Sequence, residues 1–134
     1  MQNILKKNGY KNTPARKVIL QIFSKNKVPL NAEIICKKLA KQKISINEVT
    51  VYRTLASFEE KGILKRVDLR KDSVYFELNT EHHHHIICTK CNEVEDFENK
   101  EIEKVLGRIV ESSFKFKSIK DHSLELFGLC RMCA

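Results

Sequence analysis

The sequence predicts an α+β protein in which a helical N-terminal domain ending in a β-hairpin precedes a small α+β domain. Apolar residues recur at helical spacing in the first half, and short alternating segments dominate the second half. The charge also changes sign: residues 1–79 carry 17 Lys and Arg against 7 Asp and Glu, whereas residues 80–134 carry 8 against 10. We therefore predict two domains, residues 1–79 and 82–134.

Four helices are predicted in the first domain. A short helix at residues 2–7 stops at Asn8-Gly9, and a second opens at Thr13-Pro14, an N-cap followed by proline. A third begins after Asn31, and a fourth is expected to run from a capping box of Ser45 and Glu48 to Gly62. The residues expected to face inward are Val18, Ile19, Ile22 and Phe23 in the second helix, and Ala32, Ile35, Cys36 and Leu39 in the third.

A basic hairpin is expected after the fourth helix. Residues 63–69 and 74–78 have the alternating pattern of strands and flank the polar turn 70–73. Helices followed by such a hairpin describe a winged helix-turn-helix.

The second domain is expected to contain strands at residues 83–88 and 93–97, a helix at about 100–112, and strands at 114–119 and 123–128. Its helix has one apolar stripe, formed by Ile102, Val105, Leu106 and Ile109. A unit this small has an exposed apolar surface to bury, and dimerisation is the usual remedy.

The fourth helix has two contrasting faces. Val51, Leu55 and Phe58 form a core stripe, while the opposite face carries Val49, Tyr52, Arg53 and Ala56. A guanidinium beside apolar groups suits guanine edges and thymine methyl groups in the major groove. The alternative is that Tyr52 packs on a neighbouring helix and Arg53 is ordinary surface, but the basic half-chain favours double-stranded DNA. RNA binding is less favoured because no aromatic sheet platform is present.

Basic side chains near this helix and in the hairpin are expected to contact phosphates. They are Arg16, Lys17, Arg66, Arg70 and Lys71. The predicted DNA-binding residues are Tyr52, Arg53, Val49, Thr50, Arg16 and Lys71.

Four of the five cysteines form two C-x-x-C pairs, Cys88 with Cys91 and Cys130 with Cys133. Four thiolates match tetrahedral zinc, and a closed shell leaves no position for substrate water, so the predicted site is structural. Two disulfides or a redox-active pair are the alternatives. Residues 1–10 have no apolar core resembling that of a signal peptide, and no apolar segment has membrane length, so we expect the reducing cytoplasm and therefore metal. Cys36 is expected to be a small buried apolar residue.

A run of four histidines, residues 82–85, precedes the first cysteine pair. In a strand, His83 and His85 face one side while His82 and His84 face the other, so one strand could supply two metal sites. The candidate partners are Glu77, Asp96, Glu103 and His122. Such mixed ligands suit iron(II), manganese(II), zinc or nickel. A hydrolytic zinc site is disfavoured because the sequence has no HExxH motif.

Taken together, these motifs resemble the ferric uptake regulator family over nearly the whole chain. The matching segments are Thr-Pro-Ala-Arg at 13–16, Val-Thr-Val-Tyr-Arg-Thr-Leu at 49–55, Tyr-Phe-Glu-Leu at 75–78, His-His-His-His-Ile-Ile-Cys-Thr-Lys-Cys at 82–91, and His-Ser-Leu-Glu-Leu-Phe-Gly-Leu-Cys at 122–130. The resemblance implies a homodimer of winged-helix domains that represses promoters when a regulatory metal is bound.

The resemblance also implies ligands. It places structural Zn²⁺ on Cys88, Cys91, Cys130 and Cys133. It places a regulatory Fe²⁺, Mn²⁺ or Zn²⁺ on Glu77, His83, His85 and Asp96, which we call the regulatory set. A second pocket is implied at His82, His84, Glu103 and His122, with His84 where the family often has aspartate.

One position departs from the family pattern. The family usually supplies a further histidine from the DNA-binding domain, at the place where this chain reads Lys27-Val28-Pro29. The aspartate at position 96 is similar to the peroxide-sensing branch of the family. The absence of the histidine is not, because that branch uses it.

We therefore predict a cytoplasmic, homodimeric metal-responsive repressor that is not an enzyme. The alternatives are a peroxide-sensing repressor, a metal-independent regulator held together by zinc, a zinc-stabilised protein-interaction module and, least favoured, a metal-dependent hydrolase.

Overall fold

The computed structural model describes residues 2–9, 11 and 13–134. The chain divides into two compact units, Met1–Thr80 and Glu81–Ala134. The first contains α1 (Gln2–Lys7), α2 (Pro14–Lys25), α3 (Ala32–Lys41), α4 (Glu48–Glu60), β1 (Leu64–Val67) and β2 (Tyr75–Leu78). The second contains β3 (His84–Cys88), β4 (Val94–Phe97), α5 (Lys100–Glu111) and β5 (Glu125–Gly128). The predicted α+β class is confirmed.

Side-chain caps begin the helices of the first unit. Thr13 accepts a hydrogen bond from the backbone of Arg16 at 3.4 Å, and Asn31 accepts one from Ile34 at 2.8 Å, as predicted for α2 and α3. The capping box predicted at Ser45 and Glu48 is wrong: Asn47 caps α4 by accepting from the backbone N–H of Val49 at 2.7 Å.

The late start of α4 has a packing cause. Ile44 and Ile46 both pack against the core of the first unit, which holds the segment before Asn47 out of the helix. The helix ends at Glu60, and the predicted stop signal Gly62 follows two residues later with a φ of +76°, a left-handed conformation that glycine adopts without steric strain.

The core of the first unit is built around α4. Val51, Leu55 and Phe58 are each at most 2% exposed, which confirms the predicted stripe. Apolar residues from α1, α2, α3 and the hairpin surround them. The expected burial of Cys36 is only partly met, because the side chain lies half-buried at the rim of this core.

The predicted hairpin is present and is tied to the start of α3. β1 and β2 pair antiparallel, with Leu64 opposite Leu78. Leu30 exchanges two backbone hydrogen bonds of 2.8 Å with Phe76, so the segment before α3 extends the sheet by one bridge. The buried Asn31 also donates from Nδ2 to Ser73 Oγ in the hairpin turn at 2.8 Å. The Asn31 side chain therefore both caps α3 and contacts the turn between β1 and β2, which we call the wing turn.

The second unit is a three-stranded sheet with one helix. β3 is central, antiparallel to β4 and parallel to β5. The strand predicted at residues 114–119 is wrong: this segment is irregular, and Phe114 and Phe116 are fully and largely exposed. Ser113 Oγ accepts from the backbone N–H groups of Lys115 and Phe116, a local turn that competes with extended structure.

The second unit buries little apolar surface. Among its apolar residues only Ile87 and Cys88 are buried, and the other buried side chains are His84 and His85. The α5 stripe stays half-buried to exposed, with Val105 at 50% and Ile109 at 60%. Within the described residues, no helix is long and apolar enough to cross a bilayer.

The double role of Asn31 predicts unequal effects of two substitutions. Asn31→Ala removes the α3 cap and the wing contact together and should lower the free energy of unfolding by about 0.5–2 kcal/mol through the cap alone. Ser73→Ala leaves the cap and removes one hydrogen bond at an exposed residue, so its cost should be smaller. Urea unfolding of the full chain measures both, and equal costs would show that the cap contributes nothing.

Candidate metal centres and nucleic-acid interface

The four paired cysteines converge at one end of the sheet of the second unit. Cys88 ends β3, Cys91 lies in the following turn, and the other pair follows β5. Because β3 and β5 run parallel with Cys88 opposite Gly128, the two C-x-x-C turns meet. All four Sγ atoms lie within 4.8 Å of one another, and we call this group the thiolate cluster.

The sulfur spacing in this cluster matches a metal better than disulfides. The Sγ atoms of Cys91 and Cys130 are 3.8 Å apart, and all four cysteines are free thiols. Four sulfurs arranged tetrahedrally at about 2.3 Å from a zinc ion would be about 3.8 Å apart. A disulfide would require about 2.05 Å.

Hydrogen bonds make the four thiols unequal. The backbone N–H groups of Cys91 and Cys130 lower the pKa of Cys88 to about 6, and the Cys130 contact measures 3.4 Å. Hydrogen bonding with the Cys130 thiol raises the pKa of Cys133 to about 12. The lowered pKa favours the thiolate form of Cys88, which is the form that binds metal.

The histidine run alternates as the period of a strand requires. His84 is 1% exposed and lies with His82 and His122, whereas His85 is 2% exposed and lies 4.8 Å, ring centre to ring centre, from His83. His82 and His84 therefore lie in one group and His83 and His85 in another, which is the alternation that the strand period predicts.

The carboxylate of Glu103 contacts the group formed by His82, His84 and His122. Glu103 of α5 lies 2.6 Å from Nε2 of His84, 3.1 Å from Nε2 of His82 and 2.9 Å from Nε2 of His122. We call these four residues the histidine pocket. Each offers one potential ligand atom, and the four atoms lie within 4.8 Å of one another. The hydrogen bond from His84, and then the bond and charge of His122, lower the pKa of Glu103 to about 2.

The regulatory set is divided between the two units. In the second unit, His85 Nε2 lies 3.7 Å from Asp96, its register partner on β4. Glu125, which the sequence analysis did not select, lies on the other side of His85 with an oxygen 3.9 Å from Nδ1. In the first unit, Glu77 is buried with the Lys65 ammonium at 3.4 Å. The β3–β5 register, which the sequence does not reveal, is what brings Glu125 to this histidine.

The outer face of α4 is exposed, as predicted. Val49 is 52% and Tyr52 55% exposed, and Arg53 and Ala56 are also exposed. Thr50 is half-buried, and its carbonyl accepts from Thr54 Oγ1 at 2.7 Å. Among the described residues, no acceptor engages the Arg53 guanidinium. This face can therefore meet a ligand without rearrangement.

The predicted phosphate-contacting residues differ in their surroundings. The Arg66 guanidinium pairs with Glu59 and lies 5.8 Å from the centre of the Phe76 ring. Arg16 donates to the carbonyl of Lys11 at 3.1 Å, and Lys17 is half-buried. Arg70 and Lys71 are exposed in the wing turn.

Comparison with known proteins agrees with this arrangement. The sequence model of the Ferric uptake regulator family matches residues 7–127. The chain is similar to the Ferric uptake regulation protein of Neisseria gonorrhoeae, with 38% identity over 96% of this chain and 90% of that protein. It is also similar to the peroxide-responsive repressor of Staphylococcus epidermidis, with 30% identity over 96% of this chain and 85% of that protein.

A solved structure shows the same fold. The ferric uptake regulator of Francisella tularensis, determined with iron, superposes with a TM-score of 0.83 at 42% identity and covers 93% of this chain and 95% of that chain. The fold is thus an N-terminal DNA-binding domain followed by a dimerisation domain. The chain belongs to the ferric uptake regulator family of metal-responsive, DNA-binding transcriptional regulators, which are not enzymes.

Proposed function

We propose that this protein is a homodimeric repressor that binds promoter DNA in the cytoplasm when a regulatory metal is bound. The observation that carries the proposal is the exposed face of α4, where Arg53 and Tyr52 stand beside apolar groups on the basic half of the chain. Its relatives include a ferric uptake regulation protein and a peroxide-responsive repressor.

The thiolate cluster is proposed to hold a structural Zn²⁺. Its support is the sulfur spacing, together with the low pKa of Cys88. A metal held there would link the end of β3 to the chain after β5.

The regulatory set is proposed to hold the regulatory metal. His83, His85 and Asp96 supply nitrogen and oxygen donors in the second unit, and the family resemblance adds Glu77 from the first. This donor set suits Fe²⁺, Mn²⁺ or Zn²⁺. When bound, the metal would favour one arrangement of the two DNA-binding domains, and DNA affinity would follow that population shift.

The second unit is proposed to form the homodimer. Its α5 stripe and the exposed Phe114 and Phe116 offer apolar surface that the unit cannot bury by itself. A peroxide-sensing repressor is the second candidate, supported by Asp96 and by the similarity to the Staphylococcus protein. Loss of DNA binding when peroxide is added to the iron-loaded protein distinguishes it from a simple metal sensor.

Two single substitutions test the DNA interface. Arg53→Ala should cost about 1–3 kcal/mol at the operator and relax sequence preference, because a base-reading arginine is lost. The matched control, Lys71→Ala, removes an exposed charge in the wing turn and should weaken all duplexes alike, with a salt slope smaller by about one. Fluorescence anisotropy with operator and random duplexes at several salt concentrations measures both. Equal losses on both duplexes for Arg53→Ala would refute a reading role for α4.

Three variants and the wild type test the regulatory set in a metal titration of DNA binding. His83→Ala should weaken the metal response about 10-fold or more, since losing a ligand should cost at least what losing a neighbour of a ligand costs. Val28→His restores the family histidine at a position that is 41% exposed and should strengthen the response. Val28→Asn is the control for polarity alone. The metal-response proposal fails if the wild-type affinity for DNA ignores iron, manganese, zinc and nickel alike.

A further inference from the structure

The imidazole of His85 lies between two carboxylates in the sheet of the second unit. His85 is on the central strand β3, opposite Asp96 of β4 and opposite Glu125 of β5. Its Nε2 lies 3.7 Å from Asp96 Oδ1, and its Nδ1 lies 3.9 Å from Glu125 Oε1. Because register partners on adjacent strands point to the same face of a sheet, the three side chains form one row across it. Each ring nitrogen therefore faces a different acid.

The two carboxylates differ in their exposure to solvent. The side chain of Asp96 is 44% exposed, whereas that of Glu125 is 18% exposed. Among the described residues, no lysine or arginine forms an ion pair with Glu125. A carboxylate that has lost much of its hydration is stabilised by a hydrogen-bond donor. The ring of His85 is the group that the sheet places beside it to serve as that donor.

The neighbouring His83 indicates which ring nitrogen is left for a metal. Its Nδ1 lies 2.8 Å from the carbonyl oxygen of Glu81. A carbonyl can only accept, so the proton of the neutral ring is on Nδ1 and Nε2 is the free ligand atom. In His85 it is again Nε2 that faces Asp96, the other proposed ligand of the second unit. A metal on this Nε2 would fix the His85 proton on Nδ1, toward Glu125.

We propose that Glu125 is a positioning residue of the regulatory site, whose carboxylate accepts the Nδ1–H of His85 when Nε2 binds metal. The inference rests on the proposed function, because it takes the regulatory set as the metal site and adds a residue outside that set. The separation of 3.9 Å exceeds a hydrogen bond, so metal binding has to shorten it by about 1 Å. The bond then orients the ring and makes Nε2 a stronger donor, as carboxylates behind metal-bound histidines generally do.

The test follows zinc binding at the His85 ring itself. Full-length wild type, Glu125→Gln, Glu125→Ala and the control Glu95→Gln, each with its thiolate cluster intact, are titrated with Zn²⁺. Proton–nitrogen NMR correlations of the His85 ring, detected through its carbon-bound protons and assigned with His85→Ala, report binding. Glu95 is exposed on β4 opposite Ile86, so its substitution removes the same charge from the other face of the sheet.

The wild type should give, on zinc binding, a His85 Nδ1–H signal that exchanges slowly with water, because the carboxylate holds the proton. Zinc affinity at this ring should fall about 10-fold or more in Glu125→Ala, and by less in Glu125→Gln, whose amide oxygen still accepts. Protection of the ring proton should follow the same order. Glu95→Gln should match the wild type. A residue that only supported the fold would not protect the ring proton.

Three results would overturn the positioning role. Equal zinc affinity in the wild type and both Glu125 variants would show that the carboxylate contributes nothing. Equal losses in Glu125→Gln and Glu95→Gln would assign the effect to the overall charge of the unit. Zinc on Nδ1 in place of the proton would make Glu125 a candidate ligand instead.

Failure of the proposed function gives a different pattern. If the His85 signals respond neither to zinc nor, by line broadening, to manganese, the regulatory site is absent and the role of Glu125 is refuted with it. If His85 binds zinc with no effect of Glu125, only the positioning role is removed.

Discussion

The second unit of this chain buries so little apolar surface that we expect its candidate metal ligands to hold it together. Ile87 and Cys88 are its buried apolar residues, and the imidazoles of His84 and His85 occupy the rest of the interior. A domain of this size rarely buries enough surface to fold on hydrophobic packing alone. The energy of binding a structural metal is folding energy in such a unit, so the zinc that we propose for the thiolate cluster would be central to its stability.

The first unit has no such dependence. Phe58, Leu55 and Val51 of α4 are packed within a continuous core that reaches α1, α2, α3 and the hairpin. Because the inner face of α4 is fully used in packing, its outer face can carry Tyr52 and Arg53 without risk to the fold. Under the proposed function, the first unit, which has its own core, presents the helix that reads DNA, and the second unit binds the metal that controls it.

Much of this arrangement was predictable from local sequence. The caps of α2 and α3, the stripe on α4 and the two-sided histidine run follow from short-range rules, because each depends on residues within about two turns or on strand period. The two C-x-x-C pairs also indicated a four-thiolate metal site from their spacing alone. What local rules could not supply was tertiary information. Asn47 displaced the expected cap at Ser45 because Ile44 and Ile46 pack inward, and Glu125 reaches His85 only through the β3–β5 register.

The strand predicted at residues 114–119 is absent for a similar reason, since its formation also depends on tertiary contacts. Alternating Phe114 and Phe116 indicate a strand, but a strand requires a neighbour, and no described strand of this chain pairs with the segment.

The most direct test of this account is zinc content together with hydrogen exchange of both units, on full chain purified without a tag or chelator. Wild type and the control Cys36→Ser, which changes a cysteine of the first unit, should each keep one zinc per chain through mild chelation. Cys91→Ser should lose that zinc and the amide protection of residues 81–134, while residues 13–80 stay protected. Full zinc content and unchanged protection of the second unit in Cys91→Ser would contradict the account.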